Sequence, residues 1–271
     1  MSTPNPGPFG LDPIEVPLDR APLLRVLCQV AWPEQTLLSA AFNQIADEIG
    51  VALADAYPTR DAIPMMSVEF DALTGQVRTP ASPPSRQWSS LDQYWRVYFT
   101  PQFVTLENRG HYTSRTDMTA RFRRIVEVVS KLAQVPAYQR VGWRYVNRIS
   151  EAAEYDALGE LVEDSVRGAQ VIALPSGTSM HHSMTDSLFR SEAGSLGAKW
   201  GFLPPGGLHD STLETVPTSS WVLDLDAYDD TRSPFSVESV MNKVGELSSM
   251  AYGFFRWAVK PEFITRFGGH E

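Results

Sequence analysis

The chain has 271 residues, 43% of them apolar and 20% charged, with a formal net charge of −9. That is a globular balance, and the length suffices to bury a real core as one large domain or two ordinary ones. The acidic balance argues against broad, non-specific nucleic-acid binding, where clustered Lys and Arg supply most of the affinity, and against docking on an anionic membrane.

One cysteine, Cys28, allows no internal disulfide and no cysteine pair for zinc. The N-terminal MSTPNPGPFGLDPIEVP has no basic stretch followed by an apolar one, so a signal peptide is not expected. No run approaches the roughly 20 apolar residues of a spanning helix, and a cytoplasmic protein is the expectation.

Residues 1–19 carry five prolines and little periodicity, which predicts a flexible N-terminal tail ahead of one globular domain over 20–271. PLLRVLCQVAW (22–32) reads as a strand with Leu24, Val26, Cys28 and Val30 on an apolar face and Leu23, Arg25, Leu27 and Gln29 on a mixed one. Leu38, Ala41, Phe42, Ile45, Ile49 and Ala52 then fall at helical spacing, predicting an amphipathic helix over 35–54. β-like runs follow at 65–73, 86–91 and 94–107, the first two separated by the loop-like TGQVRTPASPPS, the last broken by a turn at Pro101.

Ser114 with Asp117 resembles a capping box ahead of the stripe Met118, Phe122, Ile125, Val129 and Leu132, and Pro136 closes that helix. RVGWRYVNRI (140–149) reads as a strand, and a shorter helix is expected over 151–164. Strands are expected at 169–174, 179–191, 195–203 and 220–227, with a PPGG turn at 204–207. Ser236 caps a last long helix whose stripe is Val240, Val244, Leu247, Ala251, Phe254 and Ala258. Runs of neighbouring strands between helices predict an α+β fold: an antiparallel sheet, with a mixed one as the alternative, and long helices packed on one face. Strand-then-helix recurs, which suggests two related β-α halves over 20–150 and 165–265, although no sequence identity marks a repeat.

PLLRVLCQVAWP, YWRVYFTPQFVTL, RVGWRYVNRI and WVLDLDAY, with a closing YGFFRWAVKPE, together resemble a sporadically distributed family of uncharacterised bacterial proteins of about this length. The likeness spans most of 20–265. The family brings no activity and no functional residues to carry over. Its patchy occurrence, common among toxin–antitoxin and phage-defence genes, hints at such a role by association only.

The one basic region lies at 121–148. On a strand, Arg140, Arg144 and Arg148 share a face, and Arg121, Arg123 and Arg124 sit on the preceding helix. Guanidinium forks match carboxylates and phosphates, so Arg140, Arg144, Arg148, Arg121 and Arg124 are the candidate binding residues. The competing account is internal. Asp224 and Asp226 of WVLDLDAYDD share one strand face and would pair with those arginines if the two strands are neighbours. The three strand arginines also spread over about 26 Å, too far to clamp one small anion.

Other motifs carry less. His181 and His182 point to opposite faces of a strand, and Asp186 lies about 13 Å along from His182, so neither arrangement chelates a metal. Cys28 sits on an apolar face and reads as a small buried hydrophobe rather than a nucleophile. The carboxylates of DLDAYDD lack the spacing and glycine of a calcium loop. No nucleophile elbow, phosphate loop, dinucleotide fingerprint or zinc-protease helix is present, and no cofactor is expected. Strand aromatics such as Trp88, Trp95, Trp143, Trp200 and Trp221 should form core, with a surplus available to line a groove.

The leading expectation is therefore a non-catalytic binding protein with a protein partner, antitoxin-like or accessory to phage defence. The alternative is an enzyme or sensor acting on an anionic small molecule near Arg144 and Arg148. Single-strand or RNA binding through 111–148 is a weaker third.

Overall fold

The computed structural model describes residues 14–61, 69–70, 77–78 and 84–269. The alternating first run forms β1 (Leu23–Ala31), with Val26, Cys28 and Val30 fully buried on one side. It leads through α1 (Thr36–Ala40) and α2 (Phe42–Leu53) to the short β2 (Thr59–Asp61), then β3 (Glu69–Phe70) and β4 (Val77–Arg78). A meander follows: β5 (Arg86–Ser89), β6 (Trp95–Phe99) and β7 (Phe103–Asn108). Helix α3 (Arg115–Leu132) is capped by Ser114, whose side chain accepts from the Asp117 amide. Then come β8 (Ala137–Tyr138) and β9 (Arg140–Ile149).

The second stretch holds α4 (Ala152–Asp156), α5 (Leu158–Leu161), α6 (Asp164–Arg167) and a 3-10 turn at Gly168–Val171. β10 (Ser183–Ser191), β11 (Gly194–Leu203) and β12 (Ser220–Asp229) form a second meander, followed by β13 (Ser233–Pro234), α7 (Val237–Ala258) and α8 (Pro261–Arg266). Nine strands make one sheet in the order β10-β11-β12-β9-β1-β7-β6-β5-β2, every neighbouring pair antiparallel. The fold is α+β, as the strand runs predicted.

Helices α3 and α7 pack on each other, and α7 lies across β9, β11 and β12. Their stripes bury Phe122, Ile125, Val244 and Phe254 into the same core as Cys28, Trp143 and Leu225. The sheet therefore has one helix-covered apolar face and one opposite face, and strand alternation decides which side chains each receives.

The topology repeats. β1, helices, β5-β6-β7 and α3 have the same order as β9, helices, β10-β11-β12 and α7, and the units join where β1 meets β9, with Cys28 opposite Trp143. The boundaries differ from 20–150 and 165–265, because β9 opens the second unit rather than closing the first. The outer strand of the first unit, β5, is covered by β2; the outer strand of the second, β10, has no strand beyond it among the described residues.

Several local expectations need correction. The helix over 35–54 is two helices that part at Ala41, and Ala46 and Leu53 are buried where Ile45 and Ala52 were expected. The 151–164 helix is three short turns. The strand at 169–174 is the 3-10 turn and an exposed segment, starting from Gly168 at φ +65. β10 begins at Ser183, so His181 and His182 precede it. Of the expected tail, residues 14–19 are described, and they are tied down: Glu15 accepts from the Arg115 amide and Val16 N–H donates to the Tyr252 hydroxyl. Residues 1–13 lie outside the described residues, as does most of the expected strand 65–73 and its following loop. Among the described residues no helix is long and apolar enough to cross a membrane.

Candidate functional site

Register places Arg140, Arg144 and Arg148 on the face opposite the helices. There Arg144 stands beside Leu27 of β1 and Asp226 of β12, with Asp224 one pleat along. Its guanidinium clasps Asp224, Nε to Oδ1 at 2.8 Å and Nη2 to Oδ2 at 2.6 Å, and Nη2 also reaches Asp210 at 2.7 Å. His209 Nε2 lies 3.0 Å from the same Asp224 carboxylate. Asp210 and His209 belong to the loop 204–219, which folds back over this face.

Two further arginines hold that loop. Arg148 donates to the backbone carbonyls of Glu214 (2.9 Å) and Gly207 (3.1 Å) and to Ser220 Oγ (3.0 Å). Arg25, on β1, donates to Thr212 through its hydroxyl and its carbonyl at 2.8 and 2.9 Å, and pairs with Glu107 at 2.7 Å. Glu107 also accepts from the Tyr98 hydroxyl (2.7 Å) and Arg109 (2.9 Å), so it is almost fully buried yet fully bonded. Thr212 in turn bonds Asp210 through its amide and hydroxyl. The result is one connected network across β7, β1, β9 and β12 with the loop as its lid.

Arg140 sits at the far end of β9. It stacks over the Tyr228 ring at 4.0 Å and pairs with Asp230 (2.8 Å) and Asp226 (3.5 Å). Arg121 and Arg124 are not part of this face at all. They lie on α3, across the sheet. Arg121 pairs with Asp117 and stacks on Trp95, and Arg124 reaches Asp55 and the Ala52 carbonyl. The sequence groups five arginines into one basic region; the sheet separates them into two sets, in which Arg121, Arg124, Arg140 and Arg144 pair with carboxylates and Arg148 bonds carbonyls and a hydroxyl.

The electrostatics follow from this geometry. Burial alone would raise the Asp224 carboxyl, but the hydrogen bonds from Arg144 and His209 outweigh it and hold the group below its ordinary range. Asp210 is held well down against its own burial by the Thr212 amide and hydroxyl and by Arg144. The Arg144 guanidinium is held further into its charged form by its bonds to Asp224. Asp226 moves the other way, because burial outweighs the pull of Arg140 and Arg144. Cys28 is completely buried and its thiol is pushed well up, away from the reactive thiolate.

Arg144 Nε and Nη2 are engaged by the Asp224 and Asp210 carboxylates, and all three Arg148 nitrogens by carbonyls and the Ser220 hydroxyl. An anion at these nitrogens would compete with bonds already made to β12 and the loop 204–219. Asp186 pairs with Lys199 at 3.2 Å, and the His181 and His182 rings stand edge-on 6.1 Å apart.

Concavities lie elsewhere, the widest of about 590 Å³ between α3 and α7 at Arg115, Thr119, Met241 and Ser249. Between the 15–18 segment, Tyr112, Tyr145 and Tyr252 is a cavity of about 50 Å³, which suits ordered water rather than a metabolite. A groove of about 300 Å³ opens beside α4 and the 3-10 turn, lined by Tyr155, Arg167, Gln170, Ile172, Leu174 and Phe202. Ile172 and Leu174 of its lining, and Val171 next to them in the chain, are exposed apolar side chains, between 43% and 57% exposed.

Arg25, Glu107, His209 and Asp210 are the members that sequence reasoning missed. Arg25 and Glu107 are the one charged residue in each of β1 and β7, which is a signal; nothing in HDSTLE announces that it folds back onto the sheet. Comparison with known proteins adds no relative: no protein-family model matches the sequence, and no curated protein matches it.

Proposed function

We propose that the chain is a non-catalytic binding protein that engages a protein partner at the groove beside Tyr155 and Phe202. The observation that carries this is the cluster Val171, Ile172 and Leu174, three exposed apolar residues within four positions, of which Ile172 and Leu174 line a concavity. Single exposed apolar residues are ordinary, but a cluster at a groove suits an aliphatic or aromatic anchor from a partner. The chain's charge of −9 favours a partner whose rim around that anchor is basic. The sporadic bacterial family that the sequence resembles supports an antitoxin-like or phage-defence accessory role for such binding.

The test is affinity recovery from the native host with wild type and Ile172→Asp side by side. A stoichiometric protein recovered by wild type and lost with Ile172→Asp is the expected result, with both chains melting alike. Repeated recovery of the lone chain, or a partner indifferent to Ile172→Asp, contradicts the reading.

A further inference from the structure

The two repeated units treat their outer strands differently. β5 is closed off by β2, a three-residue strand that is too short to recruit another. β10 is nine residues long, pairs with β11 through an unbroken register, contains no proline, and has no strand paired on its other side among the described residues. It shows none of the usual edge protections except charge.

The register fixes which of its backbone groups are free. Ser191 pairs with Gly194 across the two-residue turn Glu192–Ala193. A turn that short closes only on a pair exchanging both backbone hydrogen bonds. Alternation then turns the amides and carbonyls of Ser183, Thr185, Ser187, Phe189 and Ser191 towards β11. Those of Met184, Asp186, Leu188 and Arg190 point out of the sheet. The side chains of these four residues all fall on the polar face.

That outward row is complementary to itself. In an antiparallel pairing centred on Leu188, Leu188 meets the partner's Leu188 and Asp186 meets the partner's Arg190, twice by symmetry. Leu188 is 53% exposed in the single chain, and it lies beside Gly197, where an added side chain would meet nothing closer than 3.8 Å. Two leucines can therefore settle over that open strip. Arg190 is exposed and makes no ion pair among the described residues, whereas Arg140 and Arg144 of β9 are both ion-paired.

We propose that β10 is the docking edge for a second copy of this chain, joined antiparallel about Leu188 to give one sheet running through both. Three narrow pairs would supply about six backbone hydrogen bonds, two Asp186–Arg190 pairs would fix the register, and the two-fold axis would stand perpendicular to the sheet. The interface is isologous, so it closes at two copies and leaves both β2 edges outermost.

Sedimentation equilibrium of the full chain tests this. Wild type is expected at twice the 30.1 kDa chain mass. Leu188→Pro removes only an outward amide, so the chain should stay folded by circular dichroism and fall to the single mass. Arg190→Asp and Asp186→Arg should each be single alone, because like charges then face each other, and an equimolar mixture of the two should recover the doubled mass. Wild type at single mass up to its solubility limit overturns the proposal. So does a dimer that survives Leu188→Pro, and a mixture that stays at single mass overturns the register.

Discussion

Asp224 is the residue on which most of the polar face depends, since Arg144 and His209 both bond its buried carboxylate. Removing one member of a buried pair leaves the other charge uncompensated. Asp224→Ala should therefore cost about 3–5 kcal/mol in urea unfolding, and a loss below about 1 kcal/mol would mean solvent already screens the pair. The acid response has a defined sign. Asp224 and Asp210 have folded values below those of the unfolded chain, so the stability they contribute is full above about pH 4 and is lost as pH falls towards the folded values. Asp226, raised by burial, opposes them: the stability tied to its proton is present at low pH and lost as pH rises through its folded value. Wild type should lose stability between about pH 4 and pH 2, and Asp224→Asn should flatten that limb; an identical limb in both would remove Asp224 from the account. Asp224 and Asp226 were legible in the sequence as partners for the arginines. Which aspartate meets which arginine was not, because that depends on the register of β9 against β12.

At the scale of elements, the segments with strong periodicity read correctly and the segments held by tertiary contacts did not. The α7 stripe Val240, Val244, Leu247, Ala251, Phe254 and Ala258 is wholly buried, and Ser236 caps it with a reciprocal bond to Ser239. Ser236→Ala should lower stability by about 1 kcal/mol, read as a shifted urea midpoint with unchanged slope. The 169–174 run has strand-like residues but makes no strand pairing among the described residues; from Gly168, at φ +65, it forms a 3-10 bend packed against β10 and β11. Gly201 is a second position that sequence did not mark. Its φ is +147, and an added Cβ would lie 2.0 Å from the Ser183 carbonyl oxygen. Gly201→Ala should disrupt the β10–β11 hairpin, costing more than about 2 kcal/mol, and a variant as stable as wild type would contradict the backbone geometry at that point.

At the scale of the whole molecule, the sequence showed α+β class and a recurrence of strand and helix. The repeated order of strand, helices, three-strand meander and long helix needed the sheet topology to be seen, because the two units share pattern rather than sequence. The same topology explains why the basic region misleads. Residues 121–124 and 140–148 are close in sequence but lie on opposite sides of a sheet, so no single patch forms. Instead the arginines of β1 and β9 close the polar face with the loop 204–219, and the groove at 171–174 and the β10 edge stay open among the described residues. Arg25, Arg144 and Arg148 hold this loop as part of the fold. Hydrogen exchange at the Gly206, Thr212 and Leu213 amides tests it most directly, since each is bonded within the loop at 2.8 to 3.2 Å. These amides should exchange slowly in wild type and much faster in Arg148→Met, while β9 stays protected in both; rapid exchange in wild type, or no change in Arg148→Met, would contradict the claim.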